Sequence, residues 1–562
     1  MSSRLPETST SRLALVVLFL AALAATAALH WPLSMELDSS RVHAHFHGSH
    51  VWCFDHIFAM LTGSEPFEHH TRRIGFPENV QLRFIAWVPA LLSAPLRLVL
   101  GPLGAYNAVL LLSPAFSALA AWLFIRRITG ATPFTCAGAA LAFALSPYAL
   151  GCLANGQMAK IQLWILPLHL WALSVAIRGP KPWKGWCALP LVTIAGAFTS
   201  PSTTLFIPIA AGLLVPWEIL AASNKRRASV WALGALLLTA LSLLPAKAYY
   251  SGLRSTEVIT AFSPGTPPPH GDILDPSIVA QPEETFLTQA RRDASASQSH
   301  HVTYLGLPIL LLVCALSFRG FAGRGLGITW LLGGTILSMG PYLASQGALV
   351  QISGREIPLP ALLLEWARYP LASSGMYYRG IQIATLGMAL LIAGSAQRFG
   401  NIRAVLLAWI LGSGLVFDGW RVTNTLLPRK ISPVEGEALL ESMAADSTPG
   451  GVLDLPLDVD PYTGGLYMVA AVVHGRPTTG LPRQSRVAHL PHLARLDRVL
   501  QAGLESAPGE LSSQLESMGF RYVVWHRRLD GNKNMGEQLS RALGAGTEAE
   551  DLLVWRLGEA LD

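Results

Sequence analysis

The sequence predicts a mainly α-helical membrane protein with about eleven spanning helices, followed by a small α/β domain. The chain has 562 residues, of which 51% are hydrophobic and 14% charged, and its mean hydropathy is +0.41. Soluble globular proteins carry about 25% charged residues. The deficit lies in 1–420, where apolar runs follow one another, whereas 421–562 has an ordinary soluble composition.

The apolar runs are long enough, or nearly long enough, to cross the hydrocarbon core as helices. The first run follows Arg4 and Arg12 and continues to Leu33, which favours an uncleaved helix over a cleaved signal peptide. The predicted spans are 13–33, 104–125, 133–151, 161–177, 186–200, 203–222, 228–250, 303–318, 325–343, 378–396 and 402–420.

The run 82–100 is also apolar, but we do not predict that it spans. It contains Pro89, Pro95 and Arg97 and ends at a turn over 101–104, which suits an interfacial or re-entrant helix. Its exclusion places the short basic loops together on the cytoplasmic side. The net charge of +6 therefore reports membrane orientation, and no nucleic-acid partner is predicted. The segments predicted outside are 34–103, 251–302, 344–377 and 421–562.

Turn and capping signals divide 421–562 into short helices and strands. Ser432 followed by Pro433 predicts the start of a helix that reaches about 446, with serine as N-cap and proline in the first turn. The run 466–474 favours a strand. The other predicted elements are strands at 452–456, 522–525 and 552–555 and helices at 511–518 and 537–543. This pattern predicts an α/β domain outside the cytoplasm.

The first outer loop carries a dense set of short motifs, and others follow in a fixed order downstream. The loop contains an acidic residue just after helix 1, a helix with Trp52 and a Pro-bearing interfacial segment. The motifs are Gly63-Ser64-Glu65-Pro66-Phe67, Phe76-Pro77-Glu78-Asn79, Ala105-Tyr106-Asn107, Ser146-Pro147-Tyr148, Asn155-Gly156-Gln157, Tyr304-Leu305-Gly306, Met339-Gly340-Pro341, Tyr378-Arg379-Gly380, Asp454-Leu455-Pro456 and His474-Gly475-Arg476-Pro477.

Together these motifs resemble a bacterial branch of the polytopic glycosyltransferases of the C-type (GT-C) fold, over nearly the whole chain. The resemblance implies a multi-pass protein of the bacterial cytoplasmic membrane with an extracytoplasmic C-terminal domain. It also implies transfer of a sugar from a polyprenyl-phosphate donor to a glycan or lipid acceptor at the outer membrane–water interface. That branch usually has a Gly-Asp pair before the interfacial tryptophan, whereas this chain has Gly48-Ser49.

The resemblance implies a carboxylate in the first outer loop as general base, because an acceptor hydroxyl must lose its proton as it attacks the sugar carbon. Asp38, just beyond helix 1, is the first candidate and Glu36 the second. Asp55, one helical turn beyond Trp52, could take over this role. The alternative is that these carboxylates only keep the loop solvated or lie on the polar face of a helix.

Cations and amides near the outer ends of spans are candidates for binding the donor's phosphate. They are Arg379, Lys160 and Gln157, with His50 in the first loop. The alternative for the two cations is that they snorkel to the interface and cap helix ends.

The histidines of the first loop raise the question of a metal. His43, His45 and His47 would share one face of an extended segment, but their spacing matches no standard zinc pattern. No cofactor is firmly implied, and a divalent cation is left open.

Two further function classes remain open from the sequence. The chain could be a non-catalytic membrane protein of the same fold that binds a glycan or a protein partner, which the Gly48-Ser49 pair favours. A transporter is the third option. Transporters usually contain internal repeats, and the sequence has no such self-similarity.

Overall fold

The computed structural model describes residues 7–42, 47–68, 70–82, 86–154, 156–252, 304–345, 348–367, 377–424, 431–457, 464–481, 483–507, 509–530 and 534–558. The described chain divides into two compact units. The first unit contains the described residues of 1–35, 109–249 and 304–424. The second contains those of 36–108, 250–252 and 431–558.

The first unit is a bundle of apolar helices. Its centre is helix Ile381–Ala396, which is buried along its whole length and packs against Arg324–Ser338 and Pro133–Ala144. The other helices are Glu7–Leu29, the C-terminal part of Trp87–Thr129, Pro147–Ala154, Met158–Ile161, Ile165–Arg178, Pro182–Thr199, Pro201–Thr204, Ile207–Leu220, Lys225–Ser242, Leu244–Gly252, Leu307–Leu316, Leu362–Trp366 and Asn401–Asn424.

Every predicted span overlaps one or two helices in the described residues. Among the described residues, seven helical segments are long and apolar enough to cross a membrane, or eight if the pair Pro133–Ala144 and Pro147–Ala154, bent by 48°, forms one span. The helices over the other three predicted spans have 18, 10 and 15 residues. The chain is thus a helical multi-pass membrane protein, and the number eleven stays a prediction.

The predicted turn at 101–104 is a single kink instead. Helix runs from Trp87 to Thr129 over 43 residues and is interrupted at Gly101, where φ is +69°. Glycine adopts this left-handed conformation without the steric penalty of a side chain. The apolar segment that we did not predict to span is therefore helical from Trp87, and its direction changes at Gly101.

A buried ionic network joins three helices of the first unit. Glu218 is fully buried and accepts hydrogen bonds from Arg178 Nε and Ser174 Oγ, both at 2.6 Å. Ser174 Oγ in turn accepts one from Arg127 Nε at 3.0 Å. A buried carboxylate needs such partners because its desolvation is otherwise unfavourable. The network therefore fixes helices Ile165–Arg178, Ile207–Leu220 and Trp87–Thr129 to one another.

The second unit contains a four-stranded sheet in the order Thr547–Ala549, Leu552–Arg556, Phe520–His526 and Gly451–Leu455. The last two strands are parallel and the other pairs antiparallel. Its helices are His47–Leu61, Glu437–Ala445, Gly464–His474, Arg483–Leu504, Glu510–Ser517 and Met535–Leu543. The predicted strands at 452–456, 522–525 and 552–555 and helices at 511–518 and 537–543 are confirmed within two residues.

The predicted strand at 466–474 is wrong, because this segment is helix Gly464–His474. Its valines and Tyr467 favour a strand locally. The helix instead packs against helix His47–Leu61, so closely that a Cβ atom at Gly48 would overlap the carbonyl oxygen of Gly465. Tertiary packing has overridden local propensity here.

Ser432 is not a helix N-cap. The strand Ile431–Pro433 pairs antiparallel with Ser40–Val42 of the first loop, and the helix begins later, at Glu437 after Gly436. The partner strand lies about four hundred residues away in sequence, so no local signal shows it.

A second segment of the first loop completes the core of the sheet. Gly75 and Phe76 donate backbone hydrogen bonds to Gly480 and Thr478 at 3.1 and 3.0 Å. The Phe76 ring packs edge-on against Phe520, with centroids 5.3 Å apart. Loop and C-terminal elements therefore share one hydrophobic core.

We expect Phe76→Ala to destabilise the second unit by about 2–4 kcal/mol, less than a fully buried phenylalanine would, because Phe76 is half-buried. Thermal unfolding followed by a probe in this unit would measure the change. Phe67→Ala is the matched control, since Phe67 is 68% exposed. Equal melting temperatures for the two variants would contradict the shared core.

Candidate functional site

The turn that carries Asp38 is held by an amide from a neighbouring helix. Asn107 Nδ2 donates to the carbonyl oxygens of Leu37 and Ser40, both at 2.8 Å. Asn107 is 1% exposed, so these bonds are shielded from water. The backbone of the turn is thereby fixed in one position, as a catalytic group requires.

The two acidic side chains of this turn differ in their partners. Glu36 accepts a hydrogen bond from the Ser40 hydroxyl at 2.8 Å. Asp38 is exposed, and its carboxylate forms no hydrogen bond or ion pair with another described residue. Asp38 contributes negative charge at Glu437, whose pKa is raised by partial burial and then by the charges of Glu441, Asp38 and Glu550. Asp38 is thus the carboxylate of this turn that no described residue engages by a hydrogen bond or an ion pair.

Asp55 lies in a different environment. It is 5% exposed on helix His47–Leu61 and forms ion pairs with Arg97 and, at 3.3 Å, with Arg73. The neighbouring His56 stacks on Trp52 at 4.9 Å. Burial, with a smaller effect from Arg73, lowers the pKa of His56 to about 4. The His56 imidazole is therefore neutral at neutral pH. Arg73 also lies 3.8 Å from Glu65, so two arginines and two carboxyl groups meet beside it.

His50 is half-buried in the first turns of the same helix, close to Ser49, where the resembling branch has an acid. His43 and His45 lie outside the described residues, as does the side chain of His47. Within the described ranges, no group of three or more His, Cys, Asp or Glu side chains could hold a metal ion.

In the first unit, Arg379 is 4% exposed within the short 3₁₀ turn Tyr377–Gly380, at the start of the central helix. Its Nε donates to the Tyr378 hydroxyl at 3.2 Å. Its Nη1 is buried without a hydrogen-bond partner. No described carboxylate forms an ion pair with it. Arg379 is therefore a buried cation whose charge is not neutralised by the described residues.

Of the other predicted phosphate-binding residues, Lys160 and Gln157 belong to the same unit as Arg379, whereas His50 belongs to the second unit. Lys160 and Arg379 both interact electrostatically with Cys152. The backbone of Gln157 donates to the Cys152 carbonyl at 2.9 Å. The Gln157 side chain is 4% exposed, and neither amide atom has a hydrogen-bond partner in the described structure. We call Tyr148, Cys152, Gln157, Lys160 and Arg379 the Arg379 cluster.

The Arg379 cluster has the chemistry of an anion site. It combines a buried guanidinium, an ammonium and an uncommitted amide, all of which donate hydrogen bonds. Such donors bind phosphate and stabilise negative charge on a leaving group. Sequence reasoning identified its cations and Gln157, but missed Tyr148, whose hydroxyl accepts a hydrogen bond from Gln382 at 3.2 Å. It also missed Asn107 and the two arginines that bind Asp55.

No protein-family model matches this sequence, and no curated protein is similar to it in sequence.

The structure, in contrast, is similar to solved membrane glycosyltransferases. The oligosaccharyltransferase of Archaeoglobus fulgidus, in its apo form, superposes with a TM-score of 0.51 at 11% identity, over 95% of this chain and 71% of that one. The same enzyme in complex with Zn and sulfate superposes with a TM-score of 0.50 at 11% identity, over 94% of this chain and 70% of that one. The mycobacterial arabinofuranosyltransferase AftD gives 0.51 at 15% identity, over 97% of this chain and 41% of that one.

These likenesses extend over almost the whole chain at very low identity, so they establish the fold. The chain has the GT-C fold of membrane glycosyltransferases, as the sequence predicted. The residue-level roles of Asp38, Glu36, Asp55 and the Arg379 cluster rest on the geometry described above.

Proposed function

We propose that this chain is a membrane glycosyltransferase that moves a sugar from a polyprenyl-phosphate donor to a glycan or lipid acceptor. We place the reaction at the outer face of a bacterial cytoplasmic membrane, with the C-terminal domain outside. Apart from the fold, the observation that carries the proposal is the buried Arg379 guanidinium, which no described carboxylate neutralises, together with the buried Gln157 amide of the same cluster. A phosphate supplies the missing charge.

In the proposed reaction, Asp38 removes the proton from the acceptor hydroxyl. The hydroxyl oxygen then forms a bond to the anomeric carbon of the sugar, and the bond between that carbon and the donor's phosphate oxygen breaks. The electron pair of the broken bond stays on the polyprenyl phosphate. Arg379 and Lys160 stabilise this developing negative charge, and Gln157 donates a further hydrogen bond.

We assign a supporting role to Asp55. Its carboxylate is buried and forms ion pairs with Arg73 and Arg97, so it is not presented to an acceptor hydroxyl. Asp55 therefore positions the helix that also carries His50. We place His50 beside the donor on the basis of its position in the sequence.

The proposal is tested by supplying the purified full chain with labelled polyprenyl-phosphate sugars, both hexoses and pentoses, together with glycan and lipid acceptors. We expect label to move from the lipid donor to an acceptor. A parallel reaction with EDTA tests a divalent cation, since one structure of the Archaeoglobus enzyme contains Zn. Protein that has been heat-inactivated controls for chemical breakdown of the donor.

The second candidate is a non-catalytic protein of the same fold that binds a glycan or a protein partner. It is favoured by Ser49, which stands in the first turn of helix His47–Leu61 where the resembling branch has an acid. Binding of donors or glycans without transfer from any polyprenyl-phosphate sugar would support this candidate and would overturn the first.

A further inference from the structure

Arg41 is a buried cation outside the sites described above. It lies in strand Ser40–Val42 and is 8% exposed. Its backbone is opposite Ser432 in the paired strand, but its guanidinium forms no hydrogen bond or ion pair with a described residue. Burial lowers the pKa of Arg41, and the charge of Glu435 opposes this shift. A guanidinium has five N–H donors, and no Arg41 nitrogen is sealed off from solvent without a partner, so these donors are open to a ligand.

Arg41 lines a partly enclosed cavity in the second unit. Glu435 and His526 also line it, and its remaining walls are aliphatic. Its volume of about 30 Å³ admits one small polar group but not a whole sugar ring. The apolar walls strengthen any charge interaction inside the cavity, because they lower the local dielectric constant.

The acidic groups near this cavity are already paired. Glu435 accepts a hydrogen bond from Arg528 at 3.1 Å. His526 Nε2 lies 3.2 Å from Asp454 Oδ1, which is buried behind it. Arg528 also lies 4.0 Å from Asp551. Two arginines and an imidazole therefore face two surface carboxylates and one buried carboxylate. Arg41 forms no ion pair with a described residue, although Glu435 is near enough for its charge to act on the guanidinium.

The cavity also lies where ligands of α/β folds commonly bind. Gly451–Leu455 and Phe520–His526 are neighbouring parallel strands, and His526 is the last residue of its strand. The carboxyl ends of parallel strands meet at one edge of a sheet, and the crevice outside that edge is a frequent ligand site. The Tyr467 ring packs on His526 with centroids 4.5 Å apart and holds the imidazole in place.

We propose that this cavity binds a small oxyanion, a carboxylate or a phosphate group, carried by the acceptor. Arg41 would hold it through a bidentate pair of charge-assisted hydrogen bonds. A neutral sugar hydroxyl would leave the buried charge unbalanced. The substrate class that follows is an acidic glycan, bearing either uronic acids or phosphates. The identification with the acceptor rests on the proposed function, whereas oxyanion binding does not.

The test uses the purified full chain in detergent without any sugar donor, so failure of transfer cannot affect it. Sodium glucuronate, inorganic phosphate and glucose are titrated at constant ionic strength, and binding is followed by calorimetry. We expect saturable binding of glucuronate or phosphate and none of glucose. Arg41→Gln should weaken the oxyanion's affinity by about tenfold or more.

The matched control is Arg495→Gln, which removes an exposed arginine of the same unit and should bind like the wild type. Should Arg41→Gln fail to fold, Arg41→Lys keeps the charge but loses the planar fork and should bind more weakly than the wild type. Tighter binding of glucuronate indicates an acceptor with uronic acids, and tighter binding of phosphate a phosphorylated one. No saturation by either oxyanion, or equal affinity of the Arg41 variants and the wild type, would overturn the proposal.

Discussion

Replacing Asp38 with asparagine is expected to lower the rate of glycosyl transfer by about 10²–10⁴-fold, the usual effect of losing a general base. Asparagine has the same shape but cannot take up the proton of the acceptor hydroxyl. Because Asn107 holds the turn through the backbone of Leu37 and Ser40, the substitution should leave the fold and donor binding unchanged. The expected loss therefore falls on kcat, measured with labelled donor at saturating concentration.

Two other carboxylates of the first loop provide matched controls. Glu36→Gln removes the negative charge but keeps an oxygen that can accept from the Ser40 hydroxyl, and it should lower the rate far less than Asp38→Asn. Asp55→Asn leaves Arg73 and Arg97 without their buried counter-ion, so it should lower the melting temperature. Full transfer activity in Asp38→Asn, with the controls behaving as described, would exclude Asp38 as the base.

The helical architecture was predictable because long apolar runs are a strong and local signal. The strands Gly451–Leu455 and Phe520–His526 were equally clear, since each is a short apolar run bounded by turn residues. Helix Gly464–His474, in contrast, could not be predicted from the local sequence. Its valines favour a strand, and the helix is set by close packing on Gly48, which no local pattern reveals.

The candidate site was predictable in its charged residues but not in their partners. A carboxylate after the first span and an arginine at the start of another stand out in any membrane protein. The contacts that give them different roles join distant parts of the chain, as between Asn107 and Leu37 or between Arg97 and Asp55. Arg41 could not be recognised as buried until Ile431–Pro433 was known to pair with its strand.

Replacing Arg379 with glutamine is expected to weaken donor binding by about 10–100-fold, because it removes a charge-assisted contact to phosphate. The Arg379 side chain is only 4% exposed, and no described carboxylate forms an ion pair with it. Initial rates over a range of donor concentrations would show the effect as a higher KM for the donor. The KM for the acceptor should not change.

Stability distinguishes this role from a purely structural one. An arginine that holds helices together lowers the melting temperature when it is removed. A buried cation kept for a ligand has the opposite effect, since its loss relieves the unfavourable burial of charge. We therefore expect Arg379→Gln without donor to melt at the same temperature as the wild type or higher, and to gain less stability when donor is added.

Arg398→Gln is the matched control, because Arg398 lies just beyond the other end of the central helix Ile381–Ala396. Arg398 is exposed and donates to the carbonyl oxygens of Leu316 and Arg319, both at 3.1 Å. Its loss should leave the donor's KM unchanged, because it removes the same charge away from the Arg379 cluster. If Arg379→Gln instead lowered the melting temperature and left the donor's KM unaltered, Arg379 would be a structural residue. The phosphate would then have to bind through other groups.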